Sequence, residues 1–489
     1  MKRYILSICA GLLFLFTSCN DFLDTYPPTN IPADKAIETI KDAESAIYGI
    51  YTYYQSTSGY NHYLMIYGDI RADDIQSDNS NNGAYNYYVF NHANSPGSAM
   101  WSWPMKISRN ASRIIEAIDK GKIDATAEEL NHIKGQAIAL RAMAHFDQVK
   151  LYAPPFAKDQ GKSWGAIIID HVLEADELPV RSTVDETFRF ITSELEKAIP
   201  MMKKEKHPYN LMNAYGAKSL LARAYLYWDK NDKAYETASS LIEELKSGNA
   251  YRLFTRDEYL NAFAYNAEGT NFNPESFMEC FNTPTDNPGR DGLGYMYHRN
   301  GYSAYMATRA YRDLIQSDPD DIRNGLLLLV PTSSDKIPYV NKYPGKETGE
   351  AAFDNNYPIL RLSETYLIAA EAAVKGGGSK AKGLEYLNAI VKRANPAKSV
   401  SDDEYTLDRV LEERRKELFA EGHRYFDLLR NGRTVIRESN GYHYPPALQT
   451  EAPINWDFYL SIFGIPYSEF LTNPKMKELQ QQNPGYKYE

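Results

Sequence analysis

Two segments, Leu220 to Leu241 and Leu367 to Ile390, carry small residues at helical spacing on both arms of a helix–turn–helix pattern. The first places Ala222, Ala224 and Tyr225 before a turn around Asn231, then Ala234, Ala238 and Leu241. The second places Ala370, Ala372 and Ala373 before Gly376, Gly377 and Gly378, then Ala381, Leu384 and Leu387. Small side chains let two helices approach closely, so each pair predicts a tight hairpin. Such a hairpin cannot bury its apolar face alone and must stack on others. The copies lie about 150 residues apart, which predicts a discontinuous scaffold rather than a clean array.

Two more segments extend the helical reading. Asp34 to Gln55 is amphipathic, with Ala36, Ile37, Ile40, Ala43, Ile47, Ile50 and Tyr51 on one side. Leu130 to Tyr152 carries Ala137, Ala139, Ala142 and Ala144 among bulky residues and is stopped by Pro154 and Pro155.

Leu411 to Arg433 has a different grammar. Glu412, Glu413, Arg414, Arg415, Lys416, Glu417 and Glu421 alternate in sign at spacings of three and four, beside an apolar stripe of Leu411, Leu418 and Phe419. Gly422 is expected to end this helix, and Tyr425, Phe426, Leu428 and Leu429 to begin a shorter one. Paired charges beside an apolar stripe predict an ion-paired helix that locks its neighbours in register, in preference to an acid/base site.

The run ERRKELFAEGHRYFDLLRNG within this block resembles the SusD/RagB family, the cell-surface glycan-binding lipoproteins of Bacteroidota, with Asn431 where the family usually has Trp. Further blocks carry the same resemblance. They are Asp21-Phe22-Leu23-Asp24 near the start, Tyr67 to Asp74 (G-D-x-x-x-D-D), Arg141 to Asp147 followed by Leu151-Tyr152, Asp321-x-Arg323, and the ending I-P…N-P…Q-N-P-G-Y from Ile465 to Tyr486. The resemblance implies a mostly α, SusD-like fold, with tetratricopeptide-type hairpins as scaffold and an irregular, loop-rich ligand-binding subregion. It also implies capture of an oligo- or polysaccharide for a SusC-like TonB-dependent outer-membrane porin. The binding protein then sits as a lid over the barrel and needs no cofactor.

The N-terminus reads as an address. Lys2 and Arg3 precede the apolar run Tyr4 to Phe16. Thirteen residues of helix rise about 20 Å, short of the roughly 30 Å hydrocarbon core, so a signal peptide is expected and not a membrane span. Thr17-Ser18-Cys19 resembles a bacterial lipobox, which makes Cys19 the expected lipidation site and the outer membrane the expected location. Cys9 would leave with the signal and Cys280 would stand alone, so no intramolecular disulfide is expected. The expected organisation is a signal over 1–18, a tether over 19–33, a helical region over 34–248, a loop-rich region over 249–357 and a C-terminal helical region over 358–489.

Composition narrows the function. Acidic residues number 64 against 54 basic ones, for a formal charge of −10, and no basic stripe is visible, which argues against nucleic acid. The excess is tyrosine, 39 against 19 Phe and 5 Trp. A tyrosine ring offers an apolar face with a hydrogen-bonding tip, which suits sugars. No H-E-x-x-H, C-x-x-C, G-x-S-x-G or Walker pattern occurs, so no catalytic residue and no metal site is assigned. Asp69, Asp73 and Asp74 lack a Gly-spaced calcium loop and are expected to cap and turn the chain.

Aromatics gather in three loop-rich stretches: Ser77 to Trp103, Asn249 to Pro358, and Glu438 to Phe463 with Tyr442 and Tyr444. Trp101 is expected in the core, and Trp103, followed by Pro104, exposed. The candidate ligand rings are Tyr85, Tyr87, Trp103, Tyr295, Tyr297 and Tyr302, with Asn82, Asp291 and Arg299 as polar partners. Three rival readings are a lid for peptide or another nutrient, a surface glycosidase, and an assembly module without ligand.

Overall fold

The structure, a computed structural model, describes residues 35–77, 84–91, 98–207, 211–247, 251–263, 273–283, 285–332, 336–345, 354–437 and 453–488. Cys19, Asn82, Tyr442 and Tyr444 lie outside these. The main helices are α1 (Ile40–Tyr54), α2 (Tyr63–Ile70), α3 (Ser98–Asp119), α4 (Ala127–Tyr152), α5 (Val184–Ala198) and α6 (Ala214–Tyr227). They continue with α7 (Asn231–Leu245), α8 (Leu293–Tyr297), α9 (Leu362–Ala372), α10 (Lys380–Ala394), α11 (Leu407–Glu417) and α12 (Arg424–Arg430). No helix among the described residues is long and apolar enough to cross a membrane.

Local sequence sets where the long helices begin. Thr39, Thr126 and Thr183 each accept a hydrogen bond from the backbone N–H three residues on, while Asp42, Glu129 and Glu186 accept from the cap's own N–H. This reciprocal cap satisfies two donors that the helix geometry leaves open. Helix α4 is enclosed by α1, α3 and α5. Its alanines at 137, 139, 142 and 144 are fully buried, and apolar residues occupy all of its faces.

The helices stack in succession: α3 on α4, α4 on α5, α5 on α6, and α6 on α7. Helix α7 then packs on α9, which pairs with α10, so the two alanine-lined hairpins are neighbours in space. Ala222, Ala224, Ala234, Ala238, Ala370 and Ala372 are all fully buried between them. The glycine run closes this contact. Gly376 takes φ +88°, and a Cβ on Gly377 would lie 2.2 Å from the carbonyl oxygen of Asn231 at the start of α7. One position differs from expectation: Ala381 is exposed. The small residue that faces α9 is Gly383, whose Cβ would lie 2.4 Å from that of Ala373.

Among the described residues, three small antiparallel sheets decorate this scaffold. Strands β1 (Ile75–Ser77), β5 (Tyr305–Ala307), β6 (Leu327–Pro331) and β7 (Lys336–Val340) form one, in the order β1-β5-β7-β6. Strands β2 (Trp164–Ile167) and β3 (Arg181–Thr183) form a second, and β4 (Ser276–Cys280) with β8 (Tyr357–Arg361) a third.

The charged block lies at the centre of the C-terminal half. Helix α11 ends at Glu417, five residues before Gly422, because the chain turns through Ala420 (φ 60°) and Gly422 (φ 77°). That turn sends Glu421 back to Lys342 and to Arg361, whose Nε donates to it at 2.7 Å. Arg361 also donates to Glu417 at 2.8 Å and to Glu275 at 3.1 Å, and Arg393 reaches Glu275 and Glu417 at 2.6 Å each. Arg323 donates to Glu413 at 2.7 Å and to Asp321 at 2.6 Å. These side chains are all buried, and the cations hold Glu417 far below its ordinary pKa despite that burial. The expected structural role of the block is what the structure shows.

The aspartates near Tyr67 do not simply cap and turn the chain. Arg415 donates to Asp74 at 2.7 Å and Arg424 to Asp73 at 2.8 Å, while Asp69 accepts from the Gly422 N–H at 2.8 Å. A Cβ on Gly68 would lie 1.9 Å from the carbonyl oxygen of Gly422, so backbone meets backbone there. The two sequence blocks therefore form one joint, and that joint fixes α2. Among the described residues no group of three His, Cys, Asp or Glu is placed to hold a metal.

Candidate functional site

Helix α2 begins beside a short loop, and its first residues sit between two of the tyrosine-bearing segments. His62 precedes the helix and is buried, its Nε2 sharing a hydrogen bond of 2.9 Å with the Tyr305 hydroxyl on β5. Burial lowers the imidazole to about 4, so it is neutral at neutral pH, and the backbone of Asp291 hydrogen-bonds the ring. The half-buried Tyr63 lies flat on that ring, with centroids 4.5 Å apart and planes 8° from parallel.

From Tyr63 the aromatic surface runs in two directions. On one side Tyr63 meets Tyr67 at 5.4 Å, and Tyr67 meets Tyr87 at 4.5 Å, with Phe463 behind Tyr87 at 5.4 Å. On the other side lies the exposed Asp291. Burial raises the Tyr63 phenol above its ordinary pKa, and Tyr87 and Asp291 push it the same way. Beyond Asp291, the half-buried Tyr295 on α8 stands edge-on to Tyr302 at 4.9 Å and 85°. Tyr302 is 43 % exposed, and Arg299 in the intervening turn is exposed as well.

The loop that carries Asp291 and Tyr295 is held at its base. The Leu293 N–H donates to the Asn61 carbonyl at 2.8 Å, and the Gly294 N–H to the Tyr357 hydroxyl at 2.7 Å. Behind it, buried Asn61 and Asn282 exchange side-chain hydrogen bonds of 2.8 and 3.1 Å, and Asn282 donates to the Asn355 carbonyl at 2.7 Å. Satisfied buried amides of this kind fix loop geometry, because any movement would leave a polar group unpaired. Rings held in this way can stack on a flat apolar face, with Asp291 and Arg299 available to hydroxyl groups.

The structure therefore places Tyr87 and Asp291 near Tyr63, and Tyr295, Arg299 and Tyr302 in the segment that follows Asp291; together these residues are the candidate strip. Tyr85, half-buried in the same turn as Tyr87, lies 6.3 Å from the buried Tyr88. Two expected ligand contacts are corrected. Trp103 is only 4 % exposed: its Nε1 donates to the Tyr53 carbonyl at 2.7 Å, and its ring packs edge-on against Tyr54 at 5.0 Å. Pro104 does not break the chain into a loop there, because it lies inside α3 and Trp103 faces α1. Tyr297 is 1 % exposed, between Tyr305 and Tyr343, and its hydroxyl has no hydrogen-bond partner among the described residues. It lies on the opposite side of the short α8 from Tyr295. Sequence reasoning missed His62 and Tyr63; the run Tyr60-Asn61-His62-Tyr63 just before the G-D block was the available signal.

Concavities of several hundred Å³ lie elsewhere among the described residues. A groove of about 610 Å³ between α5, α6 and α7 is lined by Tyr215, Tyr225, Lys204, Lys218 and Glu244. Its charges satisfy one another, with both lysines on Glu244 and the Tyr225 hydroxyl on Glu196.

Comparison with known proteins agrees with this architecture. Residues 253–486 match the SusD family, and residues 21–226 match a family described as starch-binding and associating with the outer membrane. A crystal structure of a SusD superfamily protein from Bacteroides vulgatus is 39% identical, covers 92% of this chain and 100% of its own, and superposes with a TM-score of 0.86. SusD-like protein P38 of Formosa agariphila is 22% identical over 97% of both chains. The starch-binding protein SusD of Bacteroides thetaiotaomicron is 31% identical over 144 residues, 29% of this chain and 24% of that protein. The stacked hairpins, the paired sequence blocks and these matches together make the chain a member of the SusD family.

Proposed function

We propose that this protein is a cell-surface lipoprotein, anchored through Cys19, that captures an oligo- or polysaccharide without cleaving it and delivers it to a SusC-like TonB-dependent transporter. The observation that carries this reading is the candidate strip Tyr87–Tyr63–Asp291–Tyr295–Tyr302, in which half-buried rings and the exposed Tyr302 rest on buried support. A sugar ring presents a C–H-rich face to such rings, and its hydroxyls meet carboxylate and guanidinium groups. The relatives named for starch binding support the same ligand class. Stacking on a surface strip gives weak single contacts, and tethering beside a pore raises the local concentration that makes weak contacts sufficient. Import energy belongs to the transporter, so the binding protein needs no cofactor.

Affinity electrophoresis against plant, host and microbial polysaccharides tests the reading. Retardation by at least one polymer, with no reducing ends released from it, supports capture without cleavage. Unchanged migration on every polymer, or steady release of product, opposes it.

A further inference from the structure

The described exposed arginines divide sharply by partner. Arg189, Arg252 and Arg433 each hold a carboxylate, at Asp185, Glu258 and Asp408. Arg290 and Arg299, which bracket α8, are exposed and form no ion pair among the described residues, and the same is true of Arg109 and Arg113 on α3. Asp286 and Asp291 stand in the same segment as Arg290 and Arg299, exposed, yet neither forms an ion pair with them. His298, between the two arginines, is half-buried, and burial lowers its pKa, so it adds no charge at neutral pH.

What sets Arg290 and Arg299 apart from Arg109 and Arg113 is their place in the segment that carries Asp291, Tyr295 and Tyr302. A guanidinium presents a planar fork of donors that fits a carboxylate or sulfate with two parallel hydrogen bonds, and it loses less hydration than an ammonium in doing so. Backbone geometry holds both arginines near the strip. Arg290 adjoins Asp291, whose backbone hydrogen-bonds His62 and whose charge acts on Tyr63. Arg299 lies in the turn closed by the Tyr302 N–H on the Tyr295 carbonyl at 3.0 Å, and its own carbonyl accepts from Ser303.

We propose that the glycan bound by this strip is anionic, carrying uronate carboxylates or sulfate esters that Arg290 and Arg299 engage while the sugar faces stack on Tyr63, Tyr295 and Tyr302. This rests on the glycan-binding reading above. Arg290 and Arg299 are then specificity-determining residues, and the rings supply binding common to neutral and acidic polymers.

The experiment uses the folded full-length chain in affinity gels containing polygalacturonate, alginate or chondroitin sulfate. Each polymer is paired with its carboxyl-reduced or desulfated form, and starch and laminarin serve as neutral references. The expected result is that at least one acidic polymer binds tenfold or more tightly than its neutralised form, and that R290Q/R299Q removes that preference without changing Tm. Carboxyl reduction and desulfation separate the two sources of charge. Equal binding to acidic and neutralised polymers, or an R290Q/R299Q variant with the wild-type preference, overturns the inference and leaves the glycan-binding reading intact. Failure to bind any polymer overturns both.

Discussion

The Tyr63 ring lies flat on the His62 imidazole, and that imidazole is pinned in turn to the hydroxyl of Tyr305 on β5 at 2.9 Å. A ligand ring would thus meet a tyrosine whose position is set before binding, which saves the entropy of ordering it. Tyr63→Ala is expected to weaken glycan binding by ~10-fold, about 1.4 kcal/mol, with stability lowered by no more than about 1 kcal/mol. Calorimetric titration with an oligosaccharide and thermal melts check the two halves separately. A large loss of stability with unchanged binding would make Tyr63 a structural residue only.

The buried rings should behave in the opposite way. Trp103→Ala is expected to cost about 3–5 kcal/mol of stability, since it empties a packed site and removes the indole's hydrogen bond to the Tyr53 carbonyl. Tyr297→Phe removes a buried hydroxyl that has no partner, and is expected to be neutral or to stabilise by up to about 1 kcal/mol. Urea unfolding reads both. A Tyr297→Phe variant destabilised by more than about 2 kcal/mol would show that the hydroxyl is satisfied in solution.

Breaking the buried charge network should be costly. Glu417→Ala leaves Arg361 and Arg393 facing a missing partner in the protein interior, with an expected loss of about 3–5 kcal/mol. Arg433→Ala breaks an exposed pair with Asp408 and should cost less than about 1 kcal/mol. Equal effects in chemical denaturation would contradict the assignment of α11 as the central lock.

Acid should weaken the fold in two steps. His62, His145 and His423 are buried with imidazoles near 4, against an ordinary 6.5. Burial is the cause, because it disfavours the charged ring; at His145 it outweighs the Arg141 carbonyl, which meets Nδ1 at 2.7 Å and pushes the other way, while Nε2 accepts the Ile169 N–H at 3.0 Å. The unfolded chain takes up these protons as pH falls through 6.5, while the folded chain does so only near 4. Stability therefore falls across that window, by up to about 3 kcal/mol per histidine. Asp73 and Glu364, held near 2 by their arginines despite burial, add a further loss as pH falls below their ordinary values of 3.8 and 4.5. Asp69 works against this, because burial raises its pKa and its protonation favours the folded state. Melting curves from pH 7 to pH 3 check the window; a Tm that stays flat from pH 7 to pH 4 contradicts it.

What could be read in the sequence was what is local. Alanines at helical spacing and the alternating charges of α11 act within one or two turns, so their consequences follow from neighbouring residues. What could not be read was long-range. Asp74 and Asp73 look like turn formers until Arg415 and Arg424 arrive from 341 and 351 residues away. His62 gains its role only from Tyr305, 243 residues on. Trp103 was misplaced because Pro104 looks like a breaker, although α3 already runs from Ser98 and the indole packs on α1. Tyr295 and Tyr297 differ because α8 spans 5 residues, too few for a periodicity to show which ring turns inward.

The central claim is that carbohydrate is gripped by the Tyr63–Tyr302 strip and not by exposed tyrosines in general. Calorimetric titration of an oligosaccharide from a retarding polymer into wild type, Tyr63→Ala/Tyr302→Ala and Tyr48→Ala tests it most directly, since Tyr48 is 48 % exposed on α1 and is not among the strip residues. The expected result is a loss of ~100-fold in the double variant, about 2.7 kcal/mol, with Tyr48→Ala binding as wild type. Wild-type affinity in the double variant would place the sugar elsewhere on the molecule.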